Sequence, residues 1–179
     1  KLTKLDVSGW KTGKVTRMAA MFMGCLNVEE LDVANWDVSN VTTFESMFQD
    51  PGQNNHGMKL KKLDLTKWQT GKVTNMAAMF YGCGALTELD LHTWDVSKVT
   101  TFSHTFADCI NLQTINVKGW KTSSAQILDG IFNNCDSVKE LDVSTFDTSN
   151  VHVFAQVFEA CYSLEKVIGL ENWDTSKGN

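Results

Sequence analysis

Proline is nearly missing from this chain: Pro51 stands alone among 179 residues. Basic charge is short as well. Sixteen Lys and Arg stand against 21 Asp and Glu, for a net charge of -5. That argues against a nucleic-acid partner, because phosphate binding needs a basic face. No apolar run approaches the ~18 to 20 residues that cross a bilayer. No two cysteines stand at the spacing of about two to four residues that zinc sites use. Gly-rich phosphate loops and nucleophile elbows are absent too. No catalytic, cofactor or metal site is therefore expected, and the chain is read as non-enzymatic. A leader peptide is not expected, because Lys1 already lies inside a repeated pattern. The chain is expected to be a fragment of a longer protein. What remains is an ordinary soluble composition, 42% apolar and 21% charged.

The repeated pattern dominates everything else. One phrase, LDVANWDVSNVTTFESMF at residues 31–48, recurs almost unchanged. Its leading Leu, Ile or Val falls at 5, 31, 63, 89, 115, 141 and 167. The steps are 26 residues, except for one of 32 between the second and third copies. A fixed period in this range marks units that cannot bury their apolar faces alone and do so by stacking. One domain over 1–179 is expected, with about six copies and a partial seventh.

Large side chains keep register from copy to copy. Trp10, Trp36, Trp68, Trp94, Trp120, Phe146 and Trp173 form one column. Phe22, Phe48, Phe80, Phe106, Phe132 and Phe158 form another. These are read as ladders through a continuous core; the alternative is an aromatic strip that stacks sugars or bases. Cys25, Cys83, Cys109, Cys135 and Cys161 share one position, which Pro51 holds in copy two. An odd set in a single column is no disulfide framework. Buried free thiols acting as small apolar residues are expected. If the protein is displayed outside a cell, burial must protect them; cytosolic residence is the alternative they keep open. His56, His92, His104 and His152 fall at different phases and are read as surface residues.

Within a copy, Val28-x-x-Leu31-x-Val33-x-x-Trp36 has leucine-rich-repeat spacing. Leu31 and Val33 should point inward and Asp32 outward. Val41, Phe44 and Phe48 then recur at three and four, one face of a helix. Thr42 and Glu45 offer a capping box for it. Each copy is thus expected to be strand, turn, short helix and loop. The fold class is an α/β repeat: a leucine-rich-repeat-like solenoid with one parallel strand per copy on one face and short helices on the other.

The phrase L-D-[VL]-x-x-W-[DKQ]-[TV]-[SG]-[NK]-V-T-x-[MF]-x-x-[MT]-F-x-x-C closely resembles the bacterial surface-protein repeat of BspA-like leucine-rich-repeat proteins. Surface lipoproteins of Mycoplasma and Listeria type carry it as well. The match runs from Leu2 to Asn179. The resemblance implies display on a bacterial cell surface, and with it adhesion or protein binding. Copy five departs most, with Asn116 in place of Asp and Ala125-Gln126 in place of Val-Thr. A less regular helix start is expected there.

Asp6, Asp32, Asp64, Asp90, Asn116 and Asp142 form an outward column. They either hydrogen-bond local backbone and pair with Lys4, Lys62 or Lys118, or bind a cation or a basic partner. Asp37, Asp95, Asp147 and Asp174 form a second column placed to close Asx turns. The candidate partner-binding residues are Asp64, Asp90, His92, Asn116 and Lys118 on this face. Asn54, Asn55, His56 and Lys59 join them from the insertion within 49–62, which is read either as tolerated or as a ligand-contacting loop. The partner is expected to be a protein, or a glycan, on another cell or a host. A stalk without a ligand is the alternative. Flanking repeats or caps are expected in the whole protein; without them, copies of the chain should associate end to end.

Overall fold

The computed structural model describes residues 2–52 and 57–178. The inward and outward alternation at the start of each copy is present. Leu31 and Val33 are 7% and 1% exposed, and Asp32 between them is exposed. Among the described residues, however, full strands form in four copies. They are β1 (Glu88–Asp90), β2 (Thr114–Asn116), β3 (Glu140–Asp142) and β4 (Lys166–Ile168). β1 pairs with β2 and β3 with β4, all in parallel. Isolated parallel bridges add Lys4 to Glu30 and, along a second line, Arg17, Thr43, Asn75, Thr101, Ile127 and Val153, each to the next. A continuous sheet with one strand per copy is therefore not what the chain builds.

The helical layer is also absent. Among the described residues there is no α-helix, only one turn of 3-10 helix at Leu170–Asn172. These two findings overturn the strand-and-helix solenoid of leucine-rich-repeat type expected from the sequence. The reason lies in where the backbone N–H groups point. In copy one, Met18, Ala20, Phe22 and Gly24 donate to the carbonyls of Thr43, Glu45, Met47 and Gln49 in copy two, at 2.8 to 3.1 Å. Each later junction repeats this, down to Leu128, Gly130, Phe132 and Asn134 donating to Val153, Ala155, Val157 and Glu159. Alternate N–H groups close tight turns instead, such as Met47 to Phe44 and Gln49 to Ser46. A helix would need all of them pointing along its own axis.

A column of left-handed residues enforces this geometry. Ala20, Ser46, Ala78, His104, Gly130 and Gln156 all have φ between 53° and 57°. One left-handed residue in the middle of the segment stops helix propagation. Burial still recurs at three and four, with Phe44, Met47 and Phe48 each at 0% exposure, so the sequence carries a helix-like signature without a helix. The expected capping box dissolves into the same ladder. Thr42 Oγ1 donates to the Thr16 carbonyl at 3.0 Å, and Thr74 and Thr100 repeat the contact one copy on each time. Copy five keeps this pattern: Ala125 N–H closes onto Thr122, and Gln126 N–H reaches Thr100. The irregular helix start expected there does not occur.

The core is a set of side-chain ladders that run along the stack. Trp10 lies on Trp36 at 5.7 Å, Trp68 on Trp94 at 5.9 Å, and Trp120 on Phe146 at 6.2 Å, with planes within 13°. The Phe column stacks without a break from Phe22 to Phe158 at 5.6 to 5.9 Å. Two columns also donate hydrogen bonds backward. The Nε1–H groups of Trp36, Trp68, Trp94 and Trp120 reach the carbonyls of Val7, Val33, Leu65 and Leu91. The thiols of Cys83, Cys109, Cys135 and Cys161 donate to the carbonyls of Phe48, Phe80, Phe106 and Phe132 at 3.0 to 3.3 Å. All of these carbonyls but that of Phe48 also accept a backbone N–H from three residues on, so the side chains fill their second acceptor site and their own buried donors are satisfied, where an unpaired one would cost about 1 to 3 kcal/mol.

Candidate partner-binding surface

The outward Asp column is held by its own backbone. Asp6 Oδ1 accepts from Ser8 N–H at 3.0 Å, and Asp64 Oδ1 from Thr66 N–H at 3.1 Å. The hydroxyls of Ser8 and Thr66 donate to the same oxygens at 2.7 Å. Asp32, Asp90 and Asp142 accept from the N–H two residues on, and so does the Asn116 side-chain oxygen. These bonds stabilise the charged form, led by the hydroxyl contact, and hold Asp6, Asp64 and Asp142 below the ordinary carboxylate range. Lys4 reinforces this at Asp6, and Lys118 with Lys166 at Asp142. Lys62 turns elsewhere, to Glu88 at 3.7 Å.

The second column behaves alike. Asp37, Asp95, Asp147 and Asp174 each accept from a Ser N–H two residues on, at 2.9 to 3.0 Å. Among the described residues, no group of three His, Cys, Asp or Glu is placed to hold a metal ion.

Asp90, His92 and Asn116 come together. His92 Nδ1 lies 2.7 Å from Asp90 Oδ1, and Asn116 Nδ2 donates to that same oxygen at 2.9 Å from one copy on. The His92 and Asp90 side chains are 50% and 48% exposed, and Asn116 is partly buried. Partial burial works to raise the Asp90 pKa; the His92 and Asn116 contacts outweigh it and lower the pKa overall. β1 and β2 bring this about by pairing Asp90 directly opposite Asn116. Lys118 follows in the next turn, where its N–H closes onto Asn116. Asp64 stands one copy before Asp90, bound to Thr66 and outside this hydrogen-bonded group.

The insertion divides in two. Asn54, Asn55 and His56 lie outside the described residues. Lys59 is exposed, and its N–H donates to the Leu26 carbonyl at 3.0 Å. On either side of it Met58 and Leu60 are buried, at 1% and 0% exposure. The insertion has thus returned to the core by Met58. Pro51, at the Cys position, is exposed.

A cleft that the sequence did not reveal lies beside the insertion. It holds about 200 Å³ between Asp50, Tyr81, Asp108 and Ile110 over the glycines 52, 57, 82 and 84. Asp50 is 5% exposed, and its Oδ1 accepts from Gly52 N–H at 2.7 Å. Asp50, Gly82 and Asp108 occupy one repeat position in successive copies, and Gly82 has no room for a side chain, since a Cβ there would lie 2.8 Å from the Asp50 Cβ. That column alternates Gly, Asp and Asn in the sequence, which is the signal that marks it.

One unit repeated and stacked, with its backbone bonded sideways, defines the chain as a repeat protein. It belongs to the family described as Mycoplasma protein of unknown function, DUF285, whose model matches residues 1–63, 53–141 and 113–179. No curated protein and no solved structure matches the chain.

Proposed function

We propose that this chain is a non-enzymatic binding module, displayed on the surface of a bacterial cell and contacting a protein or glycan of another cell or a host. The observation that carries the reading is the Asp90–His92–Asn116 group. Elsewhere the Asp column satisfies its carboxylates locally, with Ser or Thr two residues on at Asp6, Asp64 and Asp142 and with the Ala34 N–H at Asp32. Here it presents a carboxylate and a carboxamide on adjoining strands and an imidazole in the turn after β1, with the carboxylate and imidazole half exposed. Exposed polar groups held in place by a rigid scaffold suit recognition, because little side-chain freedom is lost on binding. The resemblance to BspA-like surface proteins supports display outside the cell. Among the described residues no helix is long and apolar enough to cross a membrane.

A stalk that spaces another domain from the envelope is the second reading. It is favoured by the other Asp residues, whose carboxylates are taken up in local turns.

The experiment is binding of the purified chain to arrayed host matrix proteins and glycans, beside a His92→Ala, Asn116→Ala, Lys118→Ala variant. The module reading expects a binder that the variant loses while its melting temperature stays near wild type. A chain that binds nothing on the arrays favours the stalk. A variant that binds as well as wild type refutes this patch as the contact surface. Protease treatment of intact cells tests display: a chain that stays uncut until the cells are lysed would refute it.

A further inference from the structure

The cleft beside the insertion holds a charge that no described residue answers. Asp50 lines it at 5% exposure, and its Oδ1 accepts from Gly52 N–H at 2.7 Å. Among the described residues nothing donates to its Oδ2. Asp108 stands beyond Gly82 in the same column. Among the described residues no Lys, Arg or His lies at ion-pair distance from either carboxylate. A carboxylate as buried as Asp50 is almost always paired. The turn to Gly52 does not call for the charge, because Asn or Ser closes such a turn without it. Nor does the backbone. Asp108, Gly82 and Asn134 are left-handed, a conformation that suits Gly, Asp and Asn, but Asp50 is not.

The walls of the cleft are fixed. Met58 N–H donates to the Gly82 carbonyl at 3.1 Å. Gly57 lies so close to Gly84 that a Cβ on it would be 2.9 Å from the Gly84 Cα. The returning limb of the insertion thus forms one side, backbone against backbone. Asn134 Nδ2 donates to Asp108 Oδ1 at 2.8 Å and orients that carboxylate. Burial raises the Tyr81 phenol above its ordinary value, and the Asp108 hydrogen bond and the charges of Asp108 and Asp50 add to the rise, so the three groups share one small space. The volume of about 200 Å³ is below the ~300 to 1,000 Å³ of sites that hold a whole small molecule. It has room for one end group.

We propose that this cleft receives the end of a basic side chain, a Lys ammonium or an Arg guanidinium, from a partner protein. Ionised carboxylates only accept hydrogen bonds, and ammonium and guanidinium groups only donate them. The methylenes of such a chain lie along Tyr81 and Ile110, which bring the apolar surface of the lining. A metal ion is a poorer match, since among the described residues no group of three His, Cys, Asp or Glu is placed to hold one. The cleft belongs to the closing turns of its copies and does not depend on the Asp90–His92–Asn116 group; either site can fail without the other.

Amide NMR of the 179-residue chain tests this, with Nα-acetyl-lysine amide and Nα-acetyl-arginine amide as probes. Millimolar affinity is expected of groups this small. At least one probe should shift the amides of Gly82, Gly84 and Asn134 saturably, and neutral Nα-acetyl-citrulline amide should not. If neither cationic probe moves these amides, the proposal falls. Citrulline binding as well as arginine overturns it too, because the charge is then not what is read. So does calcium chloride shifting the same amides while the organic cations do not, which makes the site a metal site. Butylamine binding where both acetylated probes fail also overturns it, because the cleft then takes a free amine and not a side chain. Asp50→Asn and Asp108→Asn should each weaken binding about ten- to hundredfold, the range for one hydrogen bond to a charged partner. Melting curves without probe separate a ligand site from a structural acid. Asp50→Asn keeps an acceptor for Gly52 N–H and removes a buried charge, so its melting temperature should hold or rise. A clear fall would mean that the carboxylate serves the fold, and would overturn the proposal.

Discussion

Replacing Ala78 with glycine distinguishes the lateral ladder from a helix by the sign of the effect. Ala78 has φ 54°, its N–H donates to the Ser103 carbonyl at 2.8 Å, and its carbonyl receives Tyr81 N–H at 3.2 Å. A residue with a Cβ pays about 1 to 2 kcal/mol in the left-handed region. Glycine does not, but gives back about 0.5 to 1 kcal/mol through the greater freedom of its unfolded chain. The net expectation for Ala78→Gly is a gain of up to about 1 kcal/mol, or roughly 2 to 4 °C in melting temperature for a chain of this length. Gly130 already occupies this position in copy five, with φ 57°. Ala77 is the control. Its φ is not positive, so Ala77→Gly should cost about 0.5 to 1 kcal/mol. Had residues 73–80 been helical, both changes would cost about 1 kcal/mol. Thermal and urea unfolding of the three proteins decides the matter. Equal losses for Ala77→Gly and Ala78→Gly would refute the ladder geometry.

Other consequences can be measured in the same way. Trp68→Ala should cost about 3 to 5 kcal/mol as a buried ring lost from a packed core, whereas Trp173→Ala, in the terminal copy and only partly buried, should cost much less; equal losses would count against stacked copies. The thiols of Cys83, Cys109 and Cys135 are buried, and burial drives their pKa upward, to about 12 for Cys109. They should therefore resist a thiol reagent at neutral pH until the chain unfolds, with half-buried Cys25 and Cys161 labelling first. Hydrogen bonds from Ser and Thr hold Asp6, Asp64, Asp95, Asp142 and Asp147 below the usual carboxylate value of 3.8. The stability they contribute is present above that value and lost as pH falls below it, so melting temperature should hold from neutral pH to about pH 5 and then drop; a flat profile down to pH 3 would contradict the turns. Deleting residues 52–57 with Pro51→Cys restores the Phe-x-x-Cys-x-x-Leu spacing and should keep or raise stability, because Met58 and Leu60 already sit in the core. Lost partner binding in that variant would make the insertion a contact loop, and unchanged binding would make it dispensable.

Much of this molecule is legible in one dimension. The 26-residue step sets which side chains can meet, because copies of equal length stack in register. Trp68 and Trp94 are parallel rings for that reason. The Asx turns are legible too, since an Asp and a Ser two residues apart need no distant partner. The direction of the backbone in residues 41–48 was not legible. Phe44 and Phe48 are buried at a spacing that fits either a helix or a chain of tight turns. A segment alone in water has only its own carbonyls to bond. Placed beside another copy, it finds a row of carbonyls at hydrogen-bond distance, and a left-handed residue at Ser46 turns its N–H groups toward them. The same holds for Asp90, His92 and Asn116: their identities are written in the sequence, but only the pairing of β1 with β2 sets them on one oxygen. What the sequence determined is the period and the inward face. What the tertiary structure decided is where each N–H goes, because that depends on the neighbouring copy and not on the residue that carries it.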